Sequence, residues 1–78
     1  MTLDQLPLHQ SAIIQAVGGT GALRRHLLDM GLTPGTTVYV QKIAPLGDPI
    51  GLLLRGYELT LRKEDARAIS VELEAHTP

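Results

Sequence analysis

The chain has no cysteine, tryptophan or phenylalanine, and its aromatic side chains are Tyr39 and Tyr57 alone. Without cysteine, disulfides, thiolate metal ligands and cysteine nucleophiles are excluded, which accords with a reducing compartment. Two aromatics are a poor supply for stacking nucleobases. Seven Lys and Arg against eight Asp and Glu give a net charge of −1, so no field attracts a polyanion and nucleic acid is not an expected partner. The longest purely aliphatic run, Leu52-Leu53-Leu54, falls far short of the ~20 residues that cross a bilayer. The opening Met1-Thr2-Leu3-Asp4 lacks the basic and apolar regions of a signal peptide. A soluble, cytoplasmic protein is expected. Only 19% of residues are charged and 44% are hydrophobic, too apolar a balance for disorder. Its 78 residues suit one domain, with Ala75 to Pro78 expected to fray.

What is present falls into short apolar segments separated by glycine and proline. Leu3 to Leu6 suggests one helical turn. Ala12 to Val17 reads as a first strand, apolar on both faces through Ile13, Ile14 and Val17. Gly18-Gly19-Thr20-Gly21 breaks it, and Thr20 is placed to cap a helix. That helix is predicted over Ala22 to Met30: Leu23, Leu27 and Met30 recur at i, i+4 and i+7, and Leu28 widens the stripe. Gly31 suits the left-handed residue after the helix, with Leu32 then able to touch Leu27.

Pro34-Gly35 has the chemistry of a type II turn. Thr37 to Ala44 is β-branched and aromatic, hence a strand. The parity of Val38 and Val40 differs from that of Ile43, which predicts a bulge near Gln41-Lys42. Ile50 to Leu54 and Tyr57 to Leu61 flank Arg55-Gly56, a tight hairpin. In its second arm Tyr57, Leu59 and Leu61 alternate with polar residues and are expected on a buried face. Lys63 to Ala66 reads as a polar 3-10 turn. Ile69 to Leu73 closes the pattern with Val71 and Leu73 inward. The architecture is mainly β: a small SH3-like five-stranded barrel with one inserted α-helix, whose closure removes exposed strand edges.

Residues that could carry chemistry are few. His26 and Asp29 share a helix face at i, i+3, but a structural zinc site wants four ligands and no cysteine is available to supply them. They are weak metal candidates. Gly18 to Gly21 lacks the Lys-Ser/Thr ending and the spacing of a phosphate loop. Ser11 and Ser70 sit in no nucleophile elbow. Arg24 and Arg25 lie near the helix start, where cations oppose the macrodipole, so they are candidates for a charged rim facing a partner. Leu28 is either core or an exposed anchor beside them. Pro45-Leu46-Gly47-Asp48-Pro49 uses more residues than a hairpin needs. Asp48 can accept from nearby backbone N–H groups, Gly47 can take a positive φ, and Leu46 would sit at a presented tip.

Three blocks together resemble one family. Leu23-Arg24-Arg25 continues into Leu27-Leu28-Asp29-Met30-Gly31-Leu32-Thr33-Pro34-Gly35. Ala44-Pro45-Leu46-Gly47-Asp48-Pro49-Ile50 follows, and then Tyr57 to Ala66. This chain resembles the FeoA family, small cytoplasmic components of bacterial ferrous-iron transport, over nearly its whole length. His26 departs from the basic Arg or Lys of that pattern. The resemblance implies an SH3-like barrel without catalysis, acting beside FeoB, a membrane permease with a cytoplasmic G domain. Exposed binding chemistry without catalytic chemistry points to partner contacts through Arg24, Arg25, Leu28 and the Pro45–Pro49 tip. No cofactor is expected beyond a weakly held divalent iron or zinc, and an apolar helix on a small barrel leaves scope for a homo-oligomer. The alternative is a metal-sensing domain like the C-terminal barrel of DtxR-like regulators.

Overall fold

Residues 1–74 are described by a computed structural model, so the expectation for Ala75 to Pro78 lies outside the described residues. A 3-10 turn, Leu3–Gln5, leads into β1 (Ser11–Val17), α1 (Gly21–Asp29), β2 (Thr37–Ile43), β3 (Ile50–Leu54), β4 (Tyr57–Leu61), α2 (Lys63–Ala66) and β5 (Ile69–Leu73). The five strands form one antiparallel sheet in the order β4-β3-β2-β1-β5. Among the described residues, no helix is long and apolar enough to cross a membrane.

Two register shifts curl this sheet. In β1 the shift falls between Ile14 and Ala16, so Ala12, Ile14 and Val17 turn inward while Ala16 is exposed. In β2 it falls between Val40 and Lys42, where the change of parity predicts it. Beyond the bulge Ile43 pairs with Ile50, and cross-strand partners share a face. Leu3, Ile14, Leu27, Leu32, Leu52, Leu54 and Ile69 are fully buried between the curled sheet and the helical segments.

The end of α1 is built as its sequence suggests. Gly31 takes φ +97°, and its N–H donates to the Leu28 carbonyl at 3.0 Å while Leu32 N–H reaches Leu27 at 3.1 Å. Those are the two bonds of a Schellman ending. Gly35 has φ +89°, and Thr36 N–H donates to the Thr33 carbonyl at 3.1 Å, which closes the Pro34-Gly35 turn. In the β3–β4 hairpin Arg55 and Gly56 both have positive φ, 49° and 83°, as a type I′ turn requires.

Four expectations need correction. Thr20 stands at the N-cap of α1 but its side chain makes no capping bond. Lys63–Ala66 is one turn of α-helix rather than 3-10. The ladder does not close: β4 and β5 are the two ends of the sheet. As a result Tyr57 is 41% exposed and Leu73 50% exposed, because an edge strand has a neighbour on one side only.

Candidate functional site

The β2–β3 connection is a tied structure with one loose apolar side chain. Pro45 and Leu46 occupy the centre of a turn closed by Gly47 N–H donating to the Ala44 carbonyl at 2.7 Å. Ala44 N–H in turn donates to the Pro49 carbonyl at 3.0 Å. Gly47 has φ +85° and the Asp48–Pro49 bond is cis. Asp48 Oδ1 accepts from Lys63 N–H, the first amide of α2, at 2.9 Å. A carboxylate there also meets the positive end of the helix. Asp48 therefore fastens the tip to the body of the protein. Leu46 is 95% exposed, although burying a leucine is worth about 1.5–3 kcal/mol.

Two concavities flank the base of this tip. One, of about 390 Å³, is lined by Lys42, Ile43, Ala44, Pro49, Ile50, Gly51 and Thr60. Gly51 leaves its floor open, and a Cβ there would stand 3.3 Å from the Cβ of Lys42. The other, of about 550 Å³, is more polar and is lined by Asp48, Pro49, Thr60, Arg62 and Glu64. The tip thus combines a protruding leucine with shaped surface beside it.

The helix candidates sit elsewhere. Tyr57, at the far end of the β3–β4 hairpin, donates its hydroxyl to the Met30 carbonyl at the C-cap of α1. The Pro45–Pro49 tip joins the hairpin at Ile50, the other end of β3, about 13 Å away at the usual strand rise. The helix end and the tip consequently stand about the length of β3 apart. Arg24 Nε donates to the Val17 carbonyl at 3.0 Å, tying α1 to the end of β1, so this guanidinium has a structural task. Arg25 is exposed. Leu28 is half-buried and packs against the core with part of its side chain. His26 and Asp29 are both exposed on α1, and among the described residues no group of three or more metal-ligating side chains comes together.

Sequence reasoning missed one polar cluster. Arg55 Nη2 donates to Thr33 Oγ1 at 3.0 Å and to Thr36 Oγ1 at 2.8 Å, and the two hydroxyls are themselves 2.8 Å apart. Thr36 is the one buried polar or charged residue among the described residues. The available signal was an arginine, rather than asparagine, before glycine in a two-residue loop: a residue costly at positive φ suggests a side chain with a partner.

The fold and the fastened loop define a small SH3-like β module that presents its chemistry on connections rather than in a cleft. Residues 1–73 match the FeoA domain family, and the chain belongs to that family. An Fe(2+) transport protein A/Fe(2+) transporter FeoB fusion protein of Porphyromonas gingivalis is 41% identical over 73 residues, 94% of this chain and 9% of the fusion. This chain thus spans a small fraction of that relative. The solution structure of a FeoA-like protein from Clostridium acetobutylicum superposes with TM-score 0.88 at 38% identity, covering 100% of this chain and 93% of that one. FeoA of Stenotrophomonas maltophilia, crystallised with zinc and described as an SH3 domain protein, gives 0.81 at 30% identity, covering 92% and 89%. In fold alone, the chain also resembles part of T. acidophilum IdeR, with TM-score 0.83 at 21% identity over 95% of this chain and 34% of that one.

Proposed function

We propose that this chain is a non-enzymatic accessory protein of ferrous-iron uptake that docks on the cytoplasmic region of a FeoB-type permease and modulates its activity. The observation that carries this reading is the Porphyromonas gingivalis relative, in which a FeoA unit and a FeoB unit share one polypeptide. A covalent link keeps two modules at high effective concentration, which is useful when the pair works together. The Pro45–Pro49 tip is the favoured contact because Leu46 is exposed on a loop that is already ordered, so docking loses little further entropy. Arg25 on α1 offers a separate cationic contact. Arg24, fastened to Val17, and Leu28, packed on the core, support that helix instead.

The test is a titration against the purified cytoplasmic region of a FeoB-type permease. Leu46→Ser should weaken binding about tenfold, the range of an interface anchor, and Arg25→Ala should act mainly through salt dependence. Affinity unchanged in both variants rejects the site.

A second reading, direct divalent-metal binding, is favoured by the zinc complex of the Stenotrophomonas maltophilia relative. Here His26 and Asp29 would supply two ligands from one face of α1, and water or a second molecule would have to complete the shell. Calorimetry with zinc or ferrous ions under reducing conditions tests it, and His26→Ala should abolish the heat. This reading would align the chain with metal-sensing SH3-like domains of DtxR-like regulators.

A further inference from the structure

The two edges of the sheet differ. The outer side of β5 is strapped by the N-terminal segment, where Val71 N–H donates to the Met1 carbonyl at 2.8 Å and Thr2 bridges to Ser70. Among the described residues, no backbone hydrogen bond outside the sheet ladders involves residues 57–61. What β4 offers follows from its register. Leu54 and Tyr57 flank a two-residue loop and are its closing, hydrogen-bonded pair. By alternation Leu52–Leu59 and Ile50–Leu61 are hydrogen-bonded too. Glu58 and Thr60 are left with their N–H and C=O groups turned away from β3.

We infer that β4 pairs, antiparallel, with β4 of a second copy of this chain about a two-fold axis through Leu59. In that register Glu58 of each copy faces Thr60 of the other, and all the free donors and acceptors of both residues are used. The surface is self-complementary, as a two-fold interface must be. Leu59 meets Leu59 of the second copy in a non-hydrogen-bonded pair, where opposed side chains lie closest. Tyr57, 41% exposed, comes to lie opposite Leu61 of the second copy, which is already buried at 3% exposure, so the shielding gained at this pair is that of the tyrosine ring.

Neighbouring registers are worse for stated reasons. An axis through Glu58 sets two carboxylates directly opposite, which is destabilising. An axis through Thr60 requires the Arg62 carbonyl, which already accepts from Ala66 N–H at 3.0 Å. The Leu59 register avoids both. An open edge with alternating free groups is the template for strand addition. A second copy in the Leu59 register uses each free backbone group of Glu58 and Thr60 while opposing no like charges. The inference does not rest on the permease reading.

Sedimentation velocity of the full chain over a range of concentrations tests it, with circular dichroism confirming the fold. The wild type should approach twice the monomer mass as concentration rises. Leu59→Glu and Leu59→Lys should each be monomeric, since either opposes like charges across the axis, and mixing the two should restore the doubled mass. Thr60→Pro, which removes an N–H that β3 does not use, should weaken association at least about tenfold, whereas Leu46→Ser should leave it unchanged. A wild type that stays monomeric throughout overturns the inference. So does either charged variant dimerising alone, or a mixture that fails to pair.

Discussion

Gly31 answers to two constraints at once. Its φ of +97° lies in the left-handed region, and a Cβ added there would run into the Tyr57 hydroxyl. The backbone term alone should make Gly31→Ala cost about 1–2 kcal/mol. The steric term is different in kind, because a half-exposed ring can swing aside at the loss of its bond to Met30. We therefore expect Tyr57→Phe to cost about 1 kcal/mol in the wild type and clearly less in the Gly31→Ala background. A double-mutant cycle by urea denaturation measures the difference, and strict additivity would show that the two residues do not share one site of strain. At Asp48 the expectation is simpler. Asp48→Ala removes the acceptor for Lys63 N–H and should lower stability by about 0.5–1.5 kcal/mol at this exposed position, readable as a shift in thermal midpoint.

The β3–β4 hairpin sets two local preferences against each other. Arg55 bears the left-handed backbone that Asn or Gly would take more readily, yet its guanidinium joins Thr33 and Thr36 and so links this hairpin to the Pro34-Gly35 turn. Arg55→Lys keeps the unfavourable backbone and loses the fork, whereas Arg55→Asn loses the fork and relieves the backbone. Arg55→Lys should thus be the more destabilising change, by about 0.5–1 kcal/mol, in chemical denaturation. The reverse order would mean that the backbone relief at residue 55 is smaller than what a lysine ammonium keeps of the contacts to Thr33 and Thr36. Elements of this kind show what the sequence reveals. Both turns, the Schellman ending at Gly31 and the bulge after Val40 were legible because each depends on a backbone requirement a few residues long. The half-exposure of Tyr57 and Leu73 was not legible, since alternation identifies a face but cannot say that its strand is an edge. Leu46 was readable as a tip residue from Pro45, Gly47 and Pro49 around it. That Leu28 turns toward the core, and that the helix and the tip lie apart, depends on how α1 lands on the sheet, and no local pattern encodes that.

At the scale of the whole molecule, the separation of helix end and tip makes two substitutions independent. Leu46→Ser should change stability by less than about 0.5 kcal/mol, as an exposed change away from any network does. Leu28→Ser should cost about 1–2 kcal/mol through lost packing, and the double variant should lie within about 0.5 kcal/mol of the sum. Equilibrium unfolding checks all three, and a marked departure from additivity would place the residues in contact. Binding assays with Leu28→Ser must be read against that loss of stability, whereas Leu46→Ser reports on contact alone. The same global view concerns time. Strand β1 takes β5 as a neighbour, pairing Ala12 with Leu73 and Val17 with Ile69, so the first strand made must wait for the last. Topologies dominated by such distant pairings fold in milliseconds to seconds rather than microseconds. On a ribosome the sheet cannot be completed until Leu73 has left the exit tunnel, so the final step of this fold is withheld until every residue through Leu73 has been synthesised and has emerged.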